Sequence, residues 1–116
     1  MKSYAKLKSN GSFRRLYHRG KSFVSPVIVT YVRKGKGNGV YLGITATKKL
    51  GGAVQRNRAK RVITAAFREC LPCIPKGSEL VIVARTRILG VKSTEVAKIL
   101  KNQLVSAGFW CENESD

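Results

Sequence analysis

The chain has 116 residues, the size of one domain, and its hydrophobic fraction of 43% is enough for a single core. Its 23 Lys and Arg residues against 6 acidic ones give a formal net charge of +17. Such a charge is unfavourable in a compact chain unless an anion neutralises it. The composition therefore excludes a wholly disordered chain and favours nucleic acid over an anionic membrane surface as the partner.

Targeting and membrane signals are missing from the sequence. No apolar run approaches the roughly 18 residues of a spanning helix, and Met1–Lys6 lacks the hydrophobic region of a secretory signal. The odd number of cysteines, 3, is typical of reduced thiols. We therefore expect a cytoplasmic protein without a membrane partner.

The first half of the chain predicts one short helix and several strands. Residues 1–10 are polar and basic without periodicity, which indicates a flexible arm. A helix is expected over 13–19, capped by Ser12. The β-branched and aromatic residues of 22–32 predict one or two strands. A basic, glycine-rich loop then leads into another strand over 40–47.

The second half predicts two helices around a buried strand. After the Gly51-Gly52 break, amphipathic periodicity indicates a long helix over 53–70. The apolar run at 79–85 is typical of a strand covered on both faces. A final helix is expected over 93–107.

This order of helix, strands, helix, strand and helix predicts an α+β sandwich in a single domain. We expect the domain to occupy residues 11–108. A short acidic tail over 109–116 would follow it.

The most informative segment lies between positions 48 and 61, where basic residues occur without an acidic one. They are Lys48, Lys49, Arg56, Arg58, Lys60 and Arg61. Cations are unfavourable at a helix N-terminus, so a polyanion bound there would compensate. We predict RNA binding by these residues, together with Asn57 and Arg68 on the same helix. A merely solvated basic face is the alternative.

Three aromatic residues lie close in the sequence to arginines. Phe13 and Tyr17 share one face of the first predicted helix, Tyr31 belongs to a strand, and Arg14 follows Phe13. Aromatic rings beside cations can stack unpaired bases. They can equally be ordinary core residues, and the composition does not decide between the two.

Catalytic and metal-binding patterns are absent from the sequence. The acidic residues form no cluster of the kind that holds divalent ions, and one histidine, His18, cannot serve as both general acid and general base. We therefore predict no catalytic residue and no metal site in the polypeptide, which disfavours an autonomous nuclease.

The cysteines allow two further alternatives. Cys70 and Cys73 form a C-x-x-C pattern, which could be a redox pair. With Cys111 and His18 they could also form a zinc site. We favour plain structural cysteines, because the pair falls at a predicted helix end rather than at a helix start.

The basic segment also resembles a known family. The Arg-Asn-Arg-Ala-Lys-Arg of 56–61, after the Lys-Lys-Leu-Gly of 48–51, resembles the signature helix of the protein subunit of bacterial ribonuclease P. Residues 13–20, 29–31 and 80–85 are similar to the opening aromatic helix, the first main strand and the last strand of that family. Gly52 and Thr64-Ala65 depart from its usual pattern.

The resemblance implies a ribosomal-protein-like fold with a four-stranded sheet. It also implies a left-handed crossover through the signature helix, although about 98% of such crossovers are right-handed. In this family a catalytic RNA removes the 5′ leader of precursor tRNA, and the protein assists.

The partners implied are thus the catalytic RNA subunit and precursor tRNA, with Mg²⁺ held mainly through the RNA. The leader would pass the groove of Phe13, Tyr17, Tyr31 and Arg14. The chain would be an enzyme only as part of this ribonucleoprotein. A structural or ribosomal-type RNA-binding protein is the alternative.

Overall fold

The computed structural model describes residues 3–7 and 9–112, which form three α-helices and five strands. In chain order these are β1 Ala5–Lys6, α1 Asn10–Arg19, β2 Lys21–Val24, β3 Ile28–Lys34, β4 Tyr41–Thr45, α2 Ala53–Cys70, β5 Ser78–Ala84 and α3 Ser93–Ala107. The α+β class predicted from the sequence is confirmed. None of the helices in these residues combines the length and the apolar composition needed to span a bilayer.

All five strands belong to one sheet with the order β1-β4-β5-β3-β2. β1, β4 and β5 are parallel to one another, and β3 is antiparallel to both β5 and β2. α2 connects the neighbouring parallel strands β4 and β5. The left-handed sense of this connection stays an expectation from the resemblance.

The sheet has one strand more than predicted, because the N-terminal segment joins it. The amide of Ala5 donates to the carbonyl of Val40 at 2.9 Å, and that of Leu7 donates to Leu42 at 3.0 Å. The Tyr4 ring packs edge-on against Phe67 at 4.9 Å between centroids. Residues 4–7 are thus held by the domain, whereas the sequence predicted a flexible arm. Met1, Lys2 and Lys8 lie outside the described residues.

The two faces of the sheet carry different helices. Leu80 and Ile82 of β5 point into the main core, which α2 and α3 complete. On the other face, Val81 is fully buried, as is Leu16 of α1. Because successive side chains of a strand alternate between faces, this difference identifies α1 as the cover of the second face.

A buried polar contact ties α3 to the sheet. The Thr30 hydroxyl donates to the side-chain oxygen of Gln103 at 2.6 Å, and the Gln103 amide donates to the carbonyls of Phe23 and Ile28. These bonds satisfy polar groups that would otherwise be costly to bury. They fix α3 on the face opposite α1.

The helix boundaries follow from local hydrogen bonds. α2 begins and ends where the periodicity predicted. α1 begins at Asn10, earlier than predicted, because the Ser9 hydroxyl rather than that of Ser12 caps it by accepting from the Ser12 amide at 3.1 Å. α3 ends at Ala107, and the following Gly108 has a φ of 79°, the left-handed conformation expected after a helix.

The start of the predicted acidic tail contacts the domain. Phe109 and Trp110 are half-buried against the core, and the Cys111 amide donates to the Cys73 carbonyl at 2.7 Å. Residues 113–116 of this prediction lie outside the described part of the chain.

Candidate nucleic-acid interface

Strand register builds the face of the sheet that α1 covers. Gly43 of β4 is level with Val81, which is level with Tyr31 of β3. The next row on the same face contains Thr45, Val83 and Val29. α1 packs on these six positions, and we call the surface that they form together with α1 the α1 face. The aromatic residues of the α1 face are Phe13, Tyr17 and Tyr31.

Two contacts hold the Tyr17 side chain on this face, one through its hydroxyl and one through its ring. Its hydroxyl is hydrogen-bonded to the Thr45 hydroxyl at 3.0 Å, and its ring meets Tyr31 edge-on at 4.9 Å between centroids. The side chain nevertheless stays 39% exposed. Tyr17 is therefore an oriented surface ring, and not a core residue.

Phe13 lies over the one position of β4 that has no side chain on this face. A Cβ atom added to Gly43 would come within 2.5 Å of the Phe13 ring. Next to this contact is a cleft of about 270 Å³, whose lining includes Tyr4, Lys6 and, from α2, Lys60 and Thr64. Phe13 thus connects the α1 face to the basic helix.

A second groove lies at the other end of the α1 face. It has a volume of about 530 Å³, and Val29 and Val83 contribute to its lining. Lys48, Lys49 and Arg85 line it as well. Because Val29 and Val83 are in the same row as Thr45, this groove begins where the Tyr17–Thr45 contact ends. The two predicted groups, aromatic and basic, therefore meet on one side of the molecule.

The predicted RNA-binding residues of α2 divide into three sets. Asn57, Arg61 and Arg68 are exposed on the outer side of the helix. Lys60 and Arg58 lie about 160° apart around the helix axis, on opposite flanks of that side. The four cations Arg58, Lys60, Arg61 and Arg68 therefore spread over most of the solvent-facing part of the helix.

Arg56 has a structural contact that the sequence did not reveal. Its guanidinium donates to the Gly51 carbonyl at 3.0 Å, and the Gln55 side chain accepts from the Gly52 amide at 3.0 Å. These two bonds close the start of α2 in place of an N-cap side chain, which Gly52 lacks. Gly51, with a φ of 125°, permits the turn that precedes it. Arg56 is half-buried as a result.

The cations of α2 form no ion pair with the acidic residues that the structure describes. Over residues 3–7 and 9–112, the ion pair observed is Arg33–Glu79 on the sheet, with a nitrogen–oxygen distance of 3.6 Å. Arg14 on α1 is also exposed. The positive charge of this side of the molecule is therefore available to an external anion.

The Cys70 thiol has the environment of a structural cysteine. Burial, followed by the negative charges of Glu69 and Cys73, raises the pKa of the Cys70 thiol to about 12, which makes it a poor nucleophile. Its sulfur donates to the Ala97 carbonyl at 3.6 Å. The described residues contain no group of three His, Cys, Asp or Glu side chains able to hold a metal ion. His18 is exposed on α1, away from this region.

Three residues of the interface were not predicted from the sequence. Gly43 and Thr45 position Phe13 and Tyr17, and Thr64 lines the cleft beside Lys60. A glycine inside a strand often marks a close approach of another group, so Gly43 carried a usable signal. Thr45 carried none, because its role depends on strand register.

Several known proteins are similar to this chain in both sequence and fold. The family model described as Ribonuclease P matches residues 1–108. The ribonuclease P protein component of Clostridium kluyveri is 36% identical over 107 residues, covering 90% of this chain and 96% of the relative. That of a Clostridium botulinum strain is 37% identical over 117 residues, covering 95% and 94%.

Solved structures agree with these relatives. The RNase P protein of Staphylococcus aureus has a TM-score of 0.78 at 29% identity, covering 94% of this chain and 99% of that one. The RNase P protein from Thermotoga maritima has a TM-score of 0.74 at 30% identity, covering 84% and 92%. On sequence and fold together, the chain belongs to the ribonuclease P protein family.

Proposed function

We propose that this chain, as the protein component of ribonuclease P, holds the 5′ leader of precursor tRNA while an RNA subunit performs the cleavage. The family membership supports the partnership with a ribonuclease P RNA. It also favours this role over that of a structural or ribosomal-type RNA-binding protein, the alternative left by the sequence. Substrate contact and a cytoplasmic location are parts of the proposal.

One observation carries the leader-binding part of the proposal. Tyr17 is oriented by two contacts and still exposes 39% of its surface, and it lies between the Phe13 cleft and the groove of Lys48 and Lys49. Planar rings stack unpaired bases without strong sequence preference, and cations along the path neutralise phosphates. A protein that must accept many leaders needs this tolerance.

We assign different roles to the protein and to the RNA subunit, according to the side chains that the protein offers. The described residues offer no clustered carboxylates for a divalent ion. We infer that Mg²⁺ in the proposed enzyme is held mainly through the RNA, where it would promote phosphodiester hydrolysis. The residues of this chain bind and orient the RNA strands, and exposed Arg61 and Arg68 supply charge for the catalytic RNA.

The proposal is tested by reconstitution. The refolded chain, its cognate ribonuclease P RNA and the combination are each incubated with precursor tRNA at low and high Mg²⁺. We expect cleavage at the mature 5′ end by the combination at low Mg²⁺, and none by the protein alone. Cleavage by the RNA-free protein, or no effect of the protein on the RNA, would overturn the proposal.

A further inference from the structure

A concave site on the far flank of α2 has no part in the leader path described above. It has a volume of about 290 Å³ and lies between α2 and the segment that joins β5 to α3. Its lining residues are Arg58, Ala59, Val62, Ile88, Leu89, Gly90, Val91 and Lys92. Lys60, which lines the Phe13 cleft, is on the opposite flank of the helix. The basic helix therefore separates two sites.

We propose that this site, the Arg58 pocket, receives one unpaired base of the ribonuclease P RNA, with the flanking phosphates at Arg58 and Lys92. The inference rests on the partnership with that RNA given under Proposed function. It adds to that partnership a defined base-binding pocket, distinct from the aromatic groove for the leader.

The lining has the chemistry that an unstacked nucleotide requires. Leu89 is 39% exposed, and Val62 and Val91 are half-buried, so apolar surface stays open to solvent inside the pocket. Single exposed apolar residues are common, but here they form the walls of one concavity. A base can replace the water on these walls, and it can stack on a planar guanidinium.

The rim supplies positive charge and space. Arg58 and Lys92 are both exposed, and neither forms an ion pair among the residues that the structure describes. Acidic side chains are missing from the lining, and Glu95, one turn into α3, is outside it. Beside Gly90, whose φ is 88°, a Cβ atom would meet nothing within 4 Å, so the opening is unobstructed.

The position of the pocket favours the catalytic RNA over the leader as its ligand. The aromatic residues that suit the leader lie on the α1 face, and the Arg58 pocket is on the other side of α2 from Lys60. A leader bound on the α1 face would have to cross the helix to reach it. An RNA subunit that surrounds the exposed side of α2 reaches the pocket directly.

The test compares three variants in the protein–RNA complex, without precursor tRNA, so that a failure of leader binding cannot affect it. Arg58→Lys keeps the charge but removes the planar group, Leu89→Ser removes an apolar wall, and Lys98→Ala removes an exposed cation of α3 outside the pocket. Dimethyl sulfate reactivity of unpaired RNA bases is read at nucleotide resolution, together with the Kd of the complex.

We expect the unaltered protein to protect one unpaired base. Arg58→Lys and Leu89→Ser should each restore the reactivity of that same base and weaken the complex about fivefold, the lower end of a lost stacking contact. Lys98→Ala should leave the protection in place. Because Arg58 is exposed, its variant folds whatever the fate of Leu89→Ser.

Unchanged protection in the Arg58→Lys complex would overturn the proposal, since a purely electrostatic surface tolerates this exchange. Protection that is the same in all three variants would show an ordinary solvated flank. If the reconstituted enzyme cleaves precursor tRNA while no base responds to Arg58, the proposed function stands and the pocket alone is rejected.

Discussion

At the scale of the residue, the contact between Gly43 and Phe13 determines the shape of the interface. The Phe13 ring occupies the space that a side chain at position 43 would need. A Cβ atom added to Gly43 would lie 2.5 Å from the ring. Real Cβ atoms do not approach a ring this closely. The absence of a side chain at Gly43 thus allows α1 to pack near the sheet and holds Phe13 at the edge of the cleft.

Gly43→Ala should destabilise the protein by about 1–3 kcal/mol, because the added methyl group overpacks this contact. It should also weaken binding of a leader-containing substrate by displacing Phe13. Urea unfolding measures the first effect. Gly11→Ala in α1 is the matched control and should be neutral or stabilising, since its Cβ would meet only the Ser9 hydroxyl at 3.8 Å. Unfolding of Gly43→Ala at the wild-type midpoint would contradict this packing.

The Cys70 thiol gives a prediction on pH. Burial raises the pKa of this thiol from 9.0 to about 12 in the folded state. Its neutral form therefore contributes stability that is fully present below pH 9 and is lost as the pH rises to about 12.

In Cys70→Ala the free energy of unfolding should fall less steeply between these pH values, by up to about 1.4 kcal/mol per pH unit. Denaturant unfolding over this range measures the difference, and Cys73→Ala provides the comparison. Equal slopes in wild-type and Cys70→Ala proteins would mean that the thiol ionises normally.

At the scale of the element, α2 distributes its charges among different surroundings. Arg61 and Arg68 are exposed on the outer side, Lys60 borders the Phe13 cleft, and Arg58 borders the pocket on the other flank. Arg56 also closes the helix start. In the proposed assembly, this single helix would contact two RNA strands at once.

Arg61→Ala should weaken binding to the ribonuclease P RNA and reduce the slope of log K against log salt by roughly 1, because one phosphate contact is lost. Lys98→Ala on α3 is the control with the same change of charge, and its slope should stay at the wild-type value. Filter binding across a salt series measures both. A slope loss of the same size in the two variants would indicate a nonspecific effect of net charge.

Sequence periodicity predicted α2 because its signal is local and long. The buried arc of Ala59, Ile63 and Phe67 repeats at helical spacing, and Gly51-Gly52 marks the start. β1 could not be found in this way, since Ala5–Lys6 is too short for an alternating pattern and is exposed. Its strand conformation comes from pairing with β4, a partner distant in sequence.

The candidate site could be selected from the sequence only in part. Its cations and aromatic rings could be chosen by residue type, because arginine, lysine and aromatic side chains are the groups that commonly bind RNA, and their RNA-binding role stays a prediction. The Tyr17–Thr45 bond and the two flanks with their pockets could not be identified, because they depend on strand register and on how α2 is seated on the sheet.

At the scale of the whole molecule, a net charge of +17 is carried by a domain whose aromatic and basic surfaces adjoin. The second face of the sheet, covered by α1, is open at both ends of the helix. The opposite face is closed by α2 and α3. In the proposed function, the α1 face is the side that contacts the substrate, and the exposed side of α2 contacts the ribonuclease P RNA.

The central claim is that the α1 face binds the leader, and one measurement tests it most directly. The Kd of the reconstituted enzyme is determined for precursor tRNA with and without a leader, using wild-type, Tyr17→Ala and Trp110→Ala proteins. Trp110, which contacts Lys101 of α3, is the aromatic control away from the α1 face.

We predict that Tyr17→Ala weakens binding of the leader-containing substrate by about 1–3 kcal/mol and leaves the Kd for the leaderless substrate unchanged. The ratio of the two constants for Trp110→Ala should equal that of the wild type. Equal losses on both substrates in Tyr17→Ala would contradict leader binding by this face.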